Sequence, residues 1–394
     1  MENIYDCIIV GSGPAGGTAA YNLAKCGYKV LIIEKESLPR YKPCGGGVSP
    51  VVQKWFDFDF SSVISQKVKN FRYTWHGHDP VNIELKLKEP LWMVRRNEFD
   101  FFIIKQAQKV GAELYDKTEV IGVQFKDNLW HVKAIHAALG EPRLRRELPQ
   151  QTKIEKAHYL IAADGAKGPM AGLLGFKQRK HTIGGAIEAE ASTVSVKNGA
   201  TAHFEFGMVK NGYLWNFPKI DGYSLGIGVL KNNQKQNLKS IASEYSKIFN
   251  IDFNTTKQYG HPISLWNGNQ TLHAKNEKAL LAGEAACIVD PLTAEGIRPS
   301  IFTGLKAAKA VGKALSGDIS AIQNYTKIIH KEIGTDMQIA NNLSKMLYMF
   351  PNICYNKILK RHSATNTMAR ILCGEMRYSD VTKETFVQLG KMFK

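Results

Sequence analysis

Residues 6–34 read DCIIVGSGPAGGTAAYNLAKCGYKVLIIE, and the arrangement of the whole chain follows from them. Residues 7–10 form a short apolar run suited to a buried parallel strand. Gly11, Gly13 and Gly16 then fill a G-x-G-x-x-G spacing, with Pro14 and Ala15 inside it, at the opening of a helix. Each glycine has a physical task. Gly11 permits the tight turn, Gly13 lets the backbone approach a pyrophosphate that a Cβ would push away, and Gly16 allows the helix to pack closely on the strand. The helix N-terminus turns its free N–H groups toward that phosphate. A second apolar strand, Val30–Ile33, ends at Glu34, where a carboxylate accepts ribose hydroxyls, and Lys35 follows it. An acid at that position disfavours a 2′-phosphate, so the cradle suits FAD or NAD better than NADP. No second fingerprint occurs that would give NAD(P)H a Rossmann domain of its own.

The 394 residues allow two or three domains, and 44% hydrophobic with 22% charged content is that of a globular protein able to bury a large core. A formal net charge of +17 points either to dispersed lysines that serve solubility or to anionic partners: an acidic membrane face, acidic substrates or nucleic acid. The densest basic cluster, Arg143, Arg145 and Arg146, is short, and no run of five basic residues occurs, which argues against nucleic acid. Six cysteines without a C-x-x-C pair point to a reduced protein and offer no metal-ligand spacing. Acidic Glu2 and Asp6 replace the basic start of a signal peptide, and no apolar run is long enough to cross a bilayer. The expectation is therefore a cytoplasmic protein whose membrane contact, where it has any, is peripheral.

Along the chain, LPRYKPCGGGVSP after Glu34 is a loop by its prolines and glycines. Residues 66–91 alternate as two or three strands, 96–110 have helical spacing, and 113–123 and 130–134 return to strand character. A polar turn or exposed hairpin is expected over 141–156. YLIAADG, 159–165, is a strand ending in an acid and a glycine. Long alternating strands over 200–206, 212–217 and 223–229 predict a sheet with one face on a pocket, and a helix follows over 240–249. KALLAGEAA, 278–286, is a strand running into a turn, and 296–315 is a helix with Pro299 in its first turn. The tail from 320 is helical, with interleaved apolar and basic residues, and this reading expects it to associate with anionic vesicles.

Three pieces line up: the N-terminal fingerprint, Asp164-Gly165 in mid-chain, and GEAACIVDPLTAEGIRPS near residue 300. Together they resemble the FAD-dependent family of aromatic hydroxylases, flavin halogenases and geranylgeranyl reductases. KPCGGGVSP and YLWNFP are most similar to the geranylgeranyl reductase branch. The resemblance implies an α/β fold: a Rossmann-type FAD-binding domain in three parts (1–70, 94–175, 276–318), a substrate domain (strands over 71–93, antiparallel sheet over 176–275) and a helical C-terminal region (319–394).

It also implies roles for particular residues. Gly283, Glu284, Pro291, Gly296 and Ile297 belong to the late cofactor motif, where a helix N-terminus aims its positive dipole at an anionic reduced flavin. Glu284 stands where the family has aspartate. Arg96, with Phe99 and Asp100, matches an R-x-x-F-D helix start whose arginine approaches the pyrophosphate, and Arg95 is the alternative. Asp164 and Gly165 resemble the residues near the pyrophosphate and the nicotinamide approach. Cys44 and Gly45 lie by resemblance close to the reacting double bond, with Arg40 and Lys42 suggesting an electropositive setting for the thiol. Tyr213, Trp215 and Phe217 share one face of a strand and form an aromatic wall for a prenyl chain or the isoalloxazine ring; Lys210 replaces the first proline of the family's pattern there. The activity implied is reduction of carbon–carbon double bonds in a geranylgeranyl chain on a lipid or diphosphate, with NAD(P)H reducing the flavin. Alternatives are oxygen-dependent hydroxylation or halogenation of an aromatic substrate, and a lycopene-cyclase-like flavoprotein.

Overall fold

The structure, a computed structural model, describes residues 3–85, 88–136, 151–176, 182–191, 200–230, 235–268, 270–276 and 278–381. The arginine cluster at 143–146 and residues 382–394 of the tail lie outside them.

Ile4–Val10 is the centre of the first sheet because it carries buried apolar side chains on both faces, as parallel strands must. Val30–Ile33 pairs with it in parallel on one side, followed by Glu113–Tyr115; Gln151–Ala162 pairs in parallel on the other. That long strand forks. Its first half pairs antiparallel with Leu129–His136, itself paired with Thr118–Lys126, and its last residues pair in parallel with Ala279–Leu281. Residues 151–156, expected in a turn or exposed hairpin, are strand, antiparallel to Leu129–His136; residues 141–150 of that expectation lie outside the described residues. The run 113–123 is two strands, interrupted where Lys117 takes φ +49°.

Helices Pro14–Lys25, Arg96–Lys109 and Ile297–Leu315 cover this sheet. The first and third nearly touch: a Cβ on Gly304 would stand 2.3 Å from the carbonyl oxygen of Ala15. At Gly16 a Cβ would stand 1.9 Å from the Gly11 carbonyl oxygen, and Gly11 itself holds φ +103°.

The second sheet runs in the order Gln258–Leu265, Thr182–Ala191, Gly222–Val229, Gly212–Lys219, Thr201–Phe206, Asn70–Trp75, His78–Glu84. It is antiparallel apart from one parallel pair, Thr201–Phe206 with Asn70–Trp75. A small sheet of Gly47–Val48, Leu91–Val94 and Ile64–Val68 joins the two large ones, so residues 66–91 divide between sheets instead of forming one unit. Helices Ser320–Ile329, Thr335–Met349, Pro351–Cys354 and His362–Leu372 fold back over the molecule. Tyr355, fully buried, ties them to the second sheet by donating its hydroxyl to the carbonyls of Asp79 (2.7 Å) and Tyr73 (3.2 Å). The fold is α/β with a Rossmann-type unit, a largely antiparallel second sheet and a helical C-terminal region.

Candidate active site

A cavity of about 920 Å³ lies between the two large sheets, at the upper end of the range of about 300–1,000 Å³ for ligand pockets. The cofactor and wall residues singled out in the sequence line it, except Gly16, Gly283 and Pro291; Arg95, the alternative to Arg96, is not on the lining either. Its polar arm is the fingerprint. Gly13 caps helix Pro14–Lys25, and a Cβ there would meet only the Arg40 guanidinium, 3.6 Å away. Protein packing leaves that space open, so it is available for a ligand. Glu34 accepts hydrogen bonds from the Ser12 N–H (2.9 Å), the Ser12 hydroxyl (2.6 Å) and the Glu36 N–H (3.0 Å). Burial alone would raise its pKa, but Arg40 and these donors outweigh it and hold the carboxyl below its usual range.

Two arginines meet over one aspartate beside the cradle. Arg96 makes a two-pronged contact with Asp100, both bonds 2.7 Å, and Arg40 approaches the same carboxylate at 3.4 Å. Burial would lower the Arg96 pKa, yet Asp100 raises it, so the guanidinium stays charged. Buried Nη1 of Arg40 has no protein partner. An open floor at Gly13, a helix N-terminus and an unused guanidinium donor fit a dinucleotide pyrophosphate. The sequence left Arg95 and Arg96 open; Arg96 lines the cavity, and Arg95 turns to Asp221. Arg40, noted only as a neighbour of Cys44, belongs to the cradle.

The KPCGGG loop is pinned between the sheets. A Cβ on Gly45 would lie 2.7 Å from the Phe217 ring and 3.0 Å from Trp215 Nε1, so the loop presses on the aromatic strand. Lys219, fully buried, donates to the carbonyls of Gly45 (2.8 Å) and Val94 (2.9 Å). Burial lowers its pKa to about 8, with Glu190 opposing. Cys44 lines the cavity, its sulfur accepting the Gly46 N–H at 3.4 Å, and the Arg96 guanidinium faces it. The guanidinium beside the thiol is that of Arg96, whereas the expected Arg40 pairs with Glu34 and Asp100.

Lys42 instead turns to His261 and Glu284, 3.4 Å from the carboxylate. Glu284 also lies 3.4 Å from His261 Nε2 and accepts the Ser264 N–H at 3.3 Å. Burial raises the Glu284 pKa, but His261 and Lys42 overcome it and bring it to about 2. Burial lowers the pKa of His261, leaving a neutral imidazole at pH 7 beside a Lys42–Glu284 ion pair. The longer side chain of Glu284 is thus engaged across the cavity rim. Asp164 accepts the Met170 N–H at 2.8 Å, so one of its oxygens closes the turn after its strand. Nearby, Glu188 accepts from Tyr41 and from the Ser224 hydroxyl (2.9 Å), and burial raises its pKa to about 7. His261, Glu188 and Lys219 carry no motif in the sequence. Only the pairing of distant strands brings them to the cavity.

The other arm is apolar. Tyr213, Trp215 and Phe217 follow one another along one strand face, with Phe204 5.1 Å from Phe217 and 6.0 Å from Tyr213. Tyr213 donates its hydroxyl to the Thr293 carbonyl at 2.5 Å, joining the wall to the late cofactor motif. Opposite stand Leu347, Leu359, Met368 and Leu372 from the C-terminal helices. The tail therefore closes one side of the cavity, a role its sequence did not reveal. Gly296 and Ile297, at the start of helix Ile297–Leu315, line the cavity as well.

Relatives carry the same length of chain. A protein of Methanocaldococcus jannaschii named digeranylgeranylglycerophospholipid reductase is 29% identical over 328 residues, 80% of this chain and 78% of that one. A Mycobacterium tuberculosis protein named menaquinone reductase is 28% identical over 89% of this chain and 86% of its own. Among solved structures, a geranylgeranyl bacteriochlorophyll reductase-like protein from Thermoplasma acidophilum superposes with a TM-score of 0.78 at 23% identity, over 95% of this chain and 92% of that one, which shows a shared fold. The model of the FAD binding domain matches residues 5–331, the span that contains the glycine cradle, the paired arginines and the late helix, and the chain belongs to that family.

Proposed function

We propose that this protein is an FAD-dependent reductase that saturates carbon–carbon double bonds in an isoprenoid chain carried by a lipid. The observation that carries the reading is the division of one cavity into a charged, glycine-floored arm and an aromatic and aliphatic arm. The names of the two relatives support the same substrate class. When bound and reduced, FAD would supply a hydride equivalent to one alkene carbon, and a proton from a nearby acid or water would complete the other carbon, leaving the flavin oxidised.

The chain's residues do the rest. Arg40, Arg96 and the N-terminus of helix Pro14–Lys25 hold the pyrophosphate, and Glu34 takes the ribose hydroxyls. The N-terminus of helix Ile297–Leu315, on the cavity lining, favours negative charge there. An isolated alkene offers no polar handle, so Tyr213, Trp215 and Phe204 must position it by contact alone and keep water out. Lys219 holds the Cys44–Gly45 loop against that wall. NAD(P)H is the proposed reductant, and Lys167 and Lys257, on the cavity lining, are the cations proposed to meet it. The three-part cofactor unit and the inserted substrate domain are the proposed division of the chain, and an anionic membrane face is the proposed place of work.

The test is anaerobic incubation of dithionite-reduced protein with a geranylgeranyl lipid, followed by mass spectrometry. A gain of one H₂ per reduced bond is expected. Product that forms only with oxygen or halide would sink the reading in favour of hydroxylation or halogenation.

A further inference from the structure

We propose that the corner between helices Thr335–Met349 and Pro351–Cys354 is a docking surface for an anionic lipid bilayer. Met346, Met349, Phe350 and Ile353 recur at i, i+3, i+4 and i+7, and they are 42%, 67%, 52% and 61% exposed. On the inward side of the same helix, Leu343 and Leu347 pack against the cluster of Leu292, Ala340 and Ile371. One side of the corner is thus core, and the other is apolar and uncovered. Single exposed apolar residues are ordinary, but four adjoining large ones mark a surface that meets something apolar.

Charge identifies the occupant. Residues 337–374 contain Lys345, Lys357, Lys360, Arg361 and Arg370 and no Asp or Glu. Lys360 pairs with Asp79 and Arg370 approaches Glu375, whereas exposed Lys345, Lys357 and Arg361 have no carboxylate partner among the described residues. An apolar tip with a rim of cations suits an interface of acyl chains beneath anionic headgroups. A second copy of the chain fits worse, because a two-fold contact would bring the same cations against each other.

Docking here deepens the isoprenoid reading, on which its purpose rests. The helices that present this tip outward also turn Leu347, Leu359, Met368 and Leu372 into the apolar arm of the cavity. A lipid-borne chain has one layer of helix to cross between bilayer and wall. Tyr355 fixes that layer to the second sheet, so the docked corner and the cavity keep a constant relation.

The experiment is flotation of the flavin-loaded protein with phosphatidylcholine vesicles containing or lacking phosphatidylglycerol. Wild type is compared with a Met349→Ser/Phe350→Ser/Ile353→Ser variant and a Lys345→Glu/Lys357→Glu variant; none of these side chains lines the cavity. Partition onto phosphatidylglycerol vesicles should fall at least about tenfold in each variant, and added salt should weaken wild type. Flavin content and turnover of a detergent-solubilised isoprenoid lipid should hold, while turnover of vesicle-borne lipid drops, so that loss of fold is told apart from loss of docking. Unchanged partition in both variants overturns the proposal. So does a wild-type dimer in gel filtration that the serine variant dissolves while vesicles are ignored, because a second copy then covers the patch. If vesicle binding responds as described but no isoprenoid is ever reduced, the docking surface stands and the reductase reading falls.

Discussion

Gly13 separates what the fold requires from what the ligand requires. Its backbone is extended (φ −72°, ψ −177°), which any residue tolerates, and an added Cβ would touch only Arg40. Gly13→Val should therefore fold and melt much like wild type yet purify without flavin, since the branched side chain occupies the floor of the cradle. Absorbance of the purified variant checks it, and a yellow protein of normal stoichiometry would show that the pyrophosphate lies elsewhere. Glu284 makes a different kind of demand. Its folded pKa of about 2 lies below the ordinary 4.5, so ionisation favours the native state above pH 4.5 and ceases to do so as pH falls through 2. That shift corresponds to about 3 kcal/mol for a side chain only 17% exposed. Urea titrations of wild type and Glu284→Gln should differ by about that amount at pH 6 and converge near pH 2. A gap independent of pH would mean that the His261 and Lys42 contacts contribute nothing through the carboxylate's charge.

At the scale of elements, the site depends on how closely two helices approach. Gly304 in helix Ile297–Leu315 faces the backbone of Ala15 in helix Pro14–Lys25, and its missing Cβ lets both N-termini converge on the cavity. Alanine at 304 gains about 1 kcal/mol of helix propensity. It must also push a backbone carbonyl aside, an overpacking cost of about 1–3 kcal/mol that outweighs the gain where the helices cannot part. Gly304→Ala should lower the denaturation midpoint and loosen flavin retention together. A midpoint at or above the wild-type value, with full flavin, would mean that the helices separate freely and that their contact does not set the cradle.

At the scale of the whole molecule, the cavity has no single owner: the first sheet gives its charged arm, the second its aromatic wall, and the C-terminal helices its far side. Trp215 stands in the aromatic wall, 7% exposed, and Gly226 leaves the room its indole fills: a Cβ there would stand 2.1 Å from the ring. Trp215→Ala removes a large contact from a substrate positioned by contact alone. A loss of about 3 kcal/mol there would slow turnover roughly a hundredfold. Two rates, measured in wild type and variant, test this: flavin reduction by NAD(P)H or dithionite, and reoxidation by a prenyl lipid. Normal reduction with slow reoxidation is expected, because the residues proposed to hold phosphate and ribose lie in the other arm. A variant that loses its flavin or unfolds would show that the aromatic stripe is core.

The fingerprint, the late helix and the aromatic strand could be read in the chain because their information is local. A glycine turn needs its neighbours only, a helix start needs its dipole and its proline, and alternate residues of a strand share a face wherever that strand lies. The same local logic left residues 151–156 open between a turn and a hairpin; they are strand because Leu129–His136 pairs antiparallel with them. It could not separate Arg95 from Arg96 either, since adjacent helix-start side chains differ only in what faces them. Arg40 at the cradle, Lys219 beneath the glycine loop, His261 beside Glu284 and the C-terminal helices over the cavity were decided by tertiary structure alone. Each acts on partners tens to hundreds of residues away, and burial, which sets their charge states and pins their positions, exists only once the two sheets and the tail have closed around one space.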